Sequence, residues 1–124
     1  MNTPITPSNG ASVNLNELLA RVENDRELLC ELLTIFKEEF PGYRKALEDA
    51  VASNNTSEVA SVSHTIKGML SNLAVPKAAA SAAHLEHLGR AGDSALLRDA
   101  LAAFERDVQG LLPEMESYMA EARS

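Results

Sequence analysis

In the stretch SVSHTIKGMLSNL (Ser61 to Leu73), an imidazole, an ammonium and a glycine fall at His64, Lys67 and Gly68. Neutral imidazole is a nucleophile that forms covalent intermediates, and its charge changes near neutral pH. In a helix, Lys67 lies one turn from His64, placed for an anion held at the ring. Gly68 costs a helix interior about 1 kcal/mol relative to alanine. What it offers in return is room, because without a Cβ another molecule can come close to the imidazole. An exposed imidazole with a nearby cation and a cleared approach suits a phosphoryl group, passed in line to a nucleophile on a separate protein. On these residues alone, a solvated helix face carrying an inert histidine is the competing reading.

Holding these groups outward requires a helix with a defined inner face. Successive helical residues are about 100° apart, and Val59, Val62, Ile66, Met69 and Leu73 share a sector of about 80° that predicts the core stripe. His64 then lies about 180° from the centre of that stripe, with Lys67 and Gly68 about 50° to either side. Ser57 and Ser71 share its outer face. Leu70 is about 70° off the stripe, between the core and an apolar docking patch.

The rest of the chain follows the same period, and no window alternates like a strand. Asn14 with Glu17 has capping-box spacing ahead of a short helix carrying Leu15, Leu18, Leu19 and Val22. The segment Glu23 to Asp25 offers a cap for a long second helix with the stripe Leu29, Leu33, Phe36, Phe40, Tyr43, Leu47 and Val51. That stripe stays in phase through Pro41 and Gly42, which predicts one kinked helix; a true break is the alternative. Asn55 with Glu58 caps the third helix, and Pro76 opens an Ala-rich fourth that stops through Gly89 and Gly92. Asp93 or Ser94 is expected to cap the last helix, with the stripe Leu97, Leu101, Phe104, Val108, Leu111, Met115 and Tyr118, bent or frayed at Pro113. Short connections between these elements imply an all-α, antiparallel up-and-down four-helix bundle over residues 13–122, with a short additional N-terminal helix. Residues 1–12, rich in Pro, Asn and Ser, read as a disordered leader or linker.

Composition narrows the partners. The chain has 124 residues, a length that supports one core, with three Phe, two Tyr and no Trp. A net charge of −7 and a pI near 4.9 argue against nucleic acid and anionic membrane surfaces. No run approaches a membrane span, and the start lacks the basic and apolar regions of a signal peptide, so a cytoplasmic location is expected. Cys30, the single cysteine, reads as a small core residue rather than a reactive thiol. His84 and His87 invite a metal reading, but no further ligands accompany them in the sequence, so no metal is expected. The acidic pairs Glu38–Glu39 and Glu48–Asp49 read as solvated helix face. No glycine loop or nucleotide fingerprint is present, so the chain is not expected to phosphorylate itself from ATP.

The segment HTIKG, followed by AAHLEHLGRAGD, resembles the histidine-containing phosphotransfer (HPt) domains of bacterial multistep phosphorelays. Their pattern is approximately H-x-[LI]-K-G within a four-helix bundle. The resemblance covers about residues 14 to 118 as helix layout, and residues 63 to 93 carry its specific part. It implies that His64 is the phosphoacceptor through Nε2, that Lys67 lies near the phosphoryl oxygens, and that Gly68 gives clearance. Glu86 falls where many members have Glu or Gln, placed to accept from Nδ1–H of His64; an ordinary exposed carboxylate is the other reading. Ser61, Leu70, Ser71 and Arg90 become docking candidates. Two departures stand out: Met69 and Leu70 where small residues are common, and Ala74 where a glycine is usual.

The implied partners are receiver domains and a hybrid sensor histidine kinase, with Mg²⁺ on the receiver and no cofactor bound by this domain. A monomer is expected. A stand-alone protein and the C-terminal module of a hybrid kinase fit equally well. Two alternatives stay open: the phosphoacceptor domain of a chemotaxis-type histidine kinase, and a non-catalytic adaptor that binds receivers.

Overall fold

The structure, a computed structural model, describes residues 13–123. The expected leader lies outside the described residues. Six α-helices follow in order: α1 Leu15–Arg21, α2 Arg26–Ala52, α3 Thr56–Asn72, α4 Pro76–Ala91, α5 Leu97–Val108 and α6 Leu111–Arg123. A 3₁₀ turn at Ser94–Leu96 precedes α5, and no strand occurs among the described residues. Helix α3 packs between α2 and α4, α4 packs on α5, and α2 closes the ring against α5 and α6. The architecture is therefore a four-helix bundle whose fourth member is made of two helices.

Most starts are capped as the sequence suggests. Asn14, Asp25 and Asn55 each accept a hydrogen bond from the backbone N–H three residues on, at 3.0 to 3.1 Å, satisfying a donor that the helix leaves free. The reciprocal half of the box does not form at α1. The Asn14 N–H donates to the Ala74 carbonyl, and Glu17 pairs with Arg21. Asp93 and Ser94 do not cap α5; they bound the 3₁₀ turn without a side-chain cap.

Helix α2 runs unbroken through Pro41, and Leu29, Leu33, Phe36, Phe40, Leu47 and Val51 are all buried. Tyr43 keeps the spacing but stands 38% exposed, its phenol reaching water. Cys30 is half-buried against the core. Arg44 and Lys37 tie the outer side of α2 to Glu105 of α5 and Glu116 of α6.

The single last helix expected from its stripe is instead two. Gln109 is extended and Gly110 takes φ +81°, a left-handed conformation open to glycine, so the helix stops and restarts. Pro113 falls in the first turn of α6, where its missing N–H breaks no helix bond. Gly89 does not end α4 but lies buried inside it, and Gly92 at φ +70° forms the stop.

Helix α3 ends with Ala74 at φ +57°. Ala74 N–H donates to Ser71 O and Val75 N–H to Leu70 O, the paired bonds of a Schellman end. An L-residue in that region carries about 1 kcal/mol of strain. Ala74→Gly should therefore stabilise the fold by up to about 1 kcal/mol, less the added freedom of the unfolded chain. A higher urea midpoint at unchanged slope checks it. From the other side, Arg21 of α1 donates to the Ser71 and Asn72 carbonyls at 2.7 and 3.1 Å, fixing this end of α3.

Candidate functional site

Packing of α3 differs from its expected stripe, and the difference aims the histidine. The buried set is Val59, Val62, Ser63, Ile66, Leu70 and Leu73, while Met69 is only half-buried. Leu70 is fully buried and so is no part of a docking patch. The inner face is turned about 30° toward the side on which Lys67 reaches α4, placing His64 about 150° from its centre. The ring therefore leans across to α4 rather than straight outward.

Small residues let α4 meet it. Ala78, Ala79, Ala82 and Gly89 are buried along α4. A Cβ on Gly89 would stand 2.7 Å from Ala60 N and 2.8 Å from Thr56 O, so the backbones of α3 and α4 touch there through a glycine hydrogen. One turn before Gly89, Glu86 points at α3. It is 5% exposed and is not the solvated carboxylate of the alternative reading.

Three cationic or donor groups converge on that carboxylate. His64 Nδ1 lies 3.0 Å from Oε2, Lys67 Nζ donates to Oε1 at 2.6 Å, and Arg90 Nη2 lies 2.6 Å from Oε2. The hydrogen bond from Lys67 holds the Glu86 carboxyl below the ordinary carboxylate range. The bond from His64 and the charge of Arg90 act the same way, and burial opposes them. An ionised carboxylate only accepts, so the neutral ring facing it carries its proton on Nδ1 and leaves the Nε2 lone pair free. The His64 side chain is 61% exposed, so that lone pair is open to solvent and to another protein.

The approach to His64 is bare. Nothing lies within 4 Å of a Cβ built on Gly68, so the fold makes no use of the missing side chain. Ser61 and Ser71 are exposed on the same helix. Arg90, taken from sequence only as a rim residue, is bound directly to Glu86. His84 and His87 are exposed on α4.

The Hpt domain family matches residues 31–123, which include all of α3 and α4. The chain belongs to the Hpt domain family. No curated protein and no solved structure matches it. Hpt domains serve histidine phosphotransfer in two-component signalling, and the HTIKG segment with its partner carboxylate sits inside the matched span. Helix α1 and the first turn of α2 fall outside the match. No helix among the described residues of this Hpt domain is long and apolar enough to cross a membrane.

Sequence reasoning missed two residues that shape the site. Gly89 looked like a helix stop, because it stands near the end of its helix and its contact is with the backbone of another helix. Arg21, which fixes the end of α3, left no signal, because its partners are backbone carbonyls on another helix.

Proposed function

We propose that this Hpt domain carries a phosphoryl group on Nε2 of His64 between aspartates of receiver domains in a phosphorelay. The observation that supports it most is an exposed imidazole whose inner nitrogen is bonded to a buried carboxylate. Glu86 orients the ring and fixes its tautomer, as a carboxylate does for a nucleophilic or metal-binding histidine. Lys67 and Arg90, already beside the ring on Glu86, supply positive charge to phosphoryl oxygens arriving at Nε2. Mg²⁺ and the acidic machinery belong to the receiver, and a hybrid sensor histidine kinase stands upstream of it. The receiver docks on the face carrying Ser61, Gly68 and Ser71, with Arg90 at its edge.

The test is transfer from a phosphorylated receiver domain to the purified protein, followed by the chemical stability of the product. An acid-labile, base-stable phosphate is expected. No label from any of several receivers, with binding retained, would replace the carrier by an adaptor.

Gly68 gives a second check. Gly68→Ala should stabilise α3 by about 1 kcal/mol, since the Cβ meets nothing in the fold. The same change should slow transfer, because it fills the receiver's approach. Melting temperature and transfer rate are expected to move in opposite senses.

A further inference from the structure

The contact between His64 and Glu86 bears on the phosphorylated ring as well as the free one. We propose that Glu86 keeps the Nδ1 proton on the ring after His64 has taken a phosphoryl group, and thereby keeps transfer reversible. This rests on the phosphocarrier reading above.

The balance of the step is simple. The Nε2 lone pair attacks phosphorus, the N–P bond forms, and the acyl P–O bond breaks with its electron pair leaving on the receiver's carboxylate. The ring becomes a phosphorylated imidazolium that still holds Nδ1–H. In the return step a receiver carboxylate oxygen attacks phosphorus, the P–N bond breaks, and its pair returns to Nε2. The leaving group is then neutral imidazole, and no proton has crossed to solvent in either direction. If Nδ1–H were lost in between, the return step would have to expel an imidazolate, a far poorer leaving group, and the phosphate would be trapped.

The surroundings of Nδ1 decide which form persists. Glu86 Oε2 sits 3.0 Å away, shielded from water. An opposite charge at that distance favours the charged form of a group by about one to three pH units. The phosphoryl group works in the same sense, whereas Lys67 from α3 and Arg90 from α4 work against it. Among the described residues no charged side chain of α2 pairs with any of these groups. Arg90 shares Oε2 with the ring, so it competes directly for the oxygen that Nδ1–H needs. Glu86 is thus a positioning residue for a proton, and Arg90 sets how strongly it holds.

Phosphoramidate, a small-molecule phosphoryl donor, makes the test independent of any receiver. The whole protein, Glu86→Gln and Arg90→Gln are phosphorylated with it, and Nδ1 of phospho-His64 is titrated by ¹⁵N NMR. The midpoint should fall by about one pH unit or more in Glu86→Gln, and rise in Arg90→Gln. The pH profile of return transfer to a receiver should shift with it. Opposite displacements are not produced by a merely structural role. An unchanged midpoint in Glu86→Gln overturns the inference while leaving His64 a carrier. Failure of His64 to take phosphate from phosphoramidate and from a phosphorylated receiver alike overturns the carrier reading and the inference with it, so the two failures are distinct.

Discussion

His64→Gln should take no acid-labile phosphate from a phosphorylated receiver, a loss to background rather than a reduction. No other described group can replace it, because nucleophilic attack needs a free imidazole lone pair on the face cleared by Gly68. His84 and His87 lack a buried carboxylate partner, since Glu86 is engaged by His64, Lys67 and Arg90. Gln can donate to Oε2 in place of Nδ1–H, and the side chain is 61% exposed, so stability should change by no more than about 0.5 kcal/mol. Radiolabel transfer, with far-UV circular dichroism and a thermal melt as controls, separates loss of chemistry from loss of fold. Full labelling of the variant would remove His64 from the role.

Gly89→Ala should damage both the fold and the site. Its Cβ would press on the Ala60 nitrogen and the Thr56 carbonyl oxygen, both backbone atoms that no rotamer change can move aside. Forcing a methyl group into a packed interface costs about 1–3 kcal/mol. For a domain of this size that lowers the melting temperature by several degrees. The site should suffer separately, because α4 relieves the clash by moving off α3 and takes Glu86 with it. A displacement of about 1 Å in a positioning group can cost up to a hundredfold in rate. Transfer should therefore fall at temperatures where the variant is still folded. A variant as stable and as active as the parent would show that α3 and α4 do not touch at Gly89.

Two glycines 21 positions apart thus have opposite meanings, and only one was legible in the sequence. Gly68 stands out because it weakens a helix on its exposed face, a cost the fold alone does not explain. Gly89 resembles any glycine near a helix end until the second helix is in place. Periodicity located the inner face of α2 well, since six of its seven stripe positions are buried. It located that of α3 less well, because Met69 and Leu70 are both apolar and spacing alone does not choose between them. Which one is buried depends on where α4 lies, and the neighbouring small, buried Ser63 turns the helix toward Leu70.

The division at Gly110 was hidden for a similar reason. Val108, Leu111 and Met115 keep helical spacing across it, and spacing reports which side is buried, not whether the backbone between is helical. Glu86 was legible through the family resemblance and not through its own spacing. Its burial comes from His64 and Lys67 of α3 and Arg90 of its own helix, and that convergence exists only in three dimensions.

The His64–Glu86 pair is separated by only 22 residues, across the tight end at Leu73–Val75. Closing so short a loop costs less chain entropy than a long-range contact would. The pair therefore belongs to one helical hairpin, held together by the backbone contact at Gly89 and by packing on α2 and α5. Segments that open together do so as contiguous cooperative units. Helix α6, joined through Gly110, packs on α2 and buries Leu111 and Met115 in the core that α3 and α4 share. Opening of α6 would therefore release a tie to that hairpin, because Glu114 accepts from the Val13 N–H and the adjoining Asn14 N–H donates to the Ala74 carbonyl between α3 and α4.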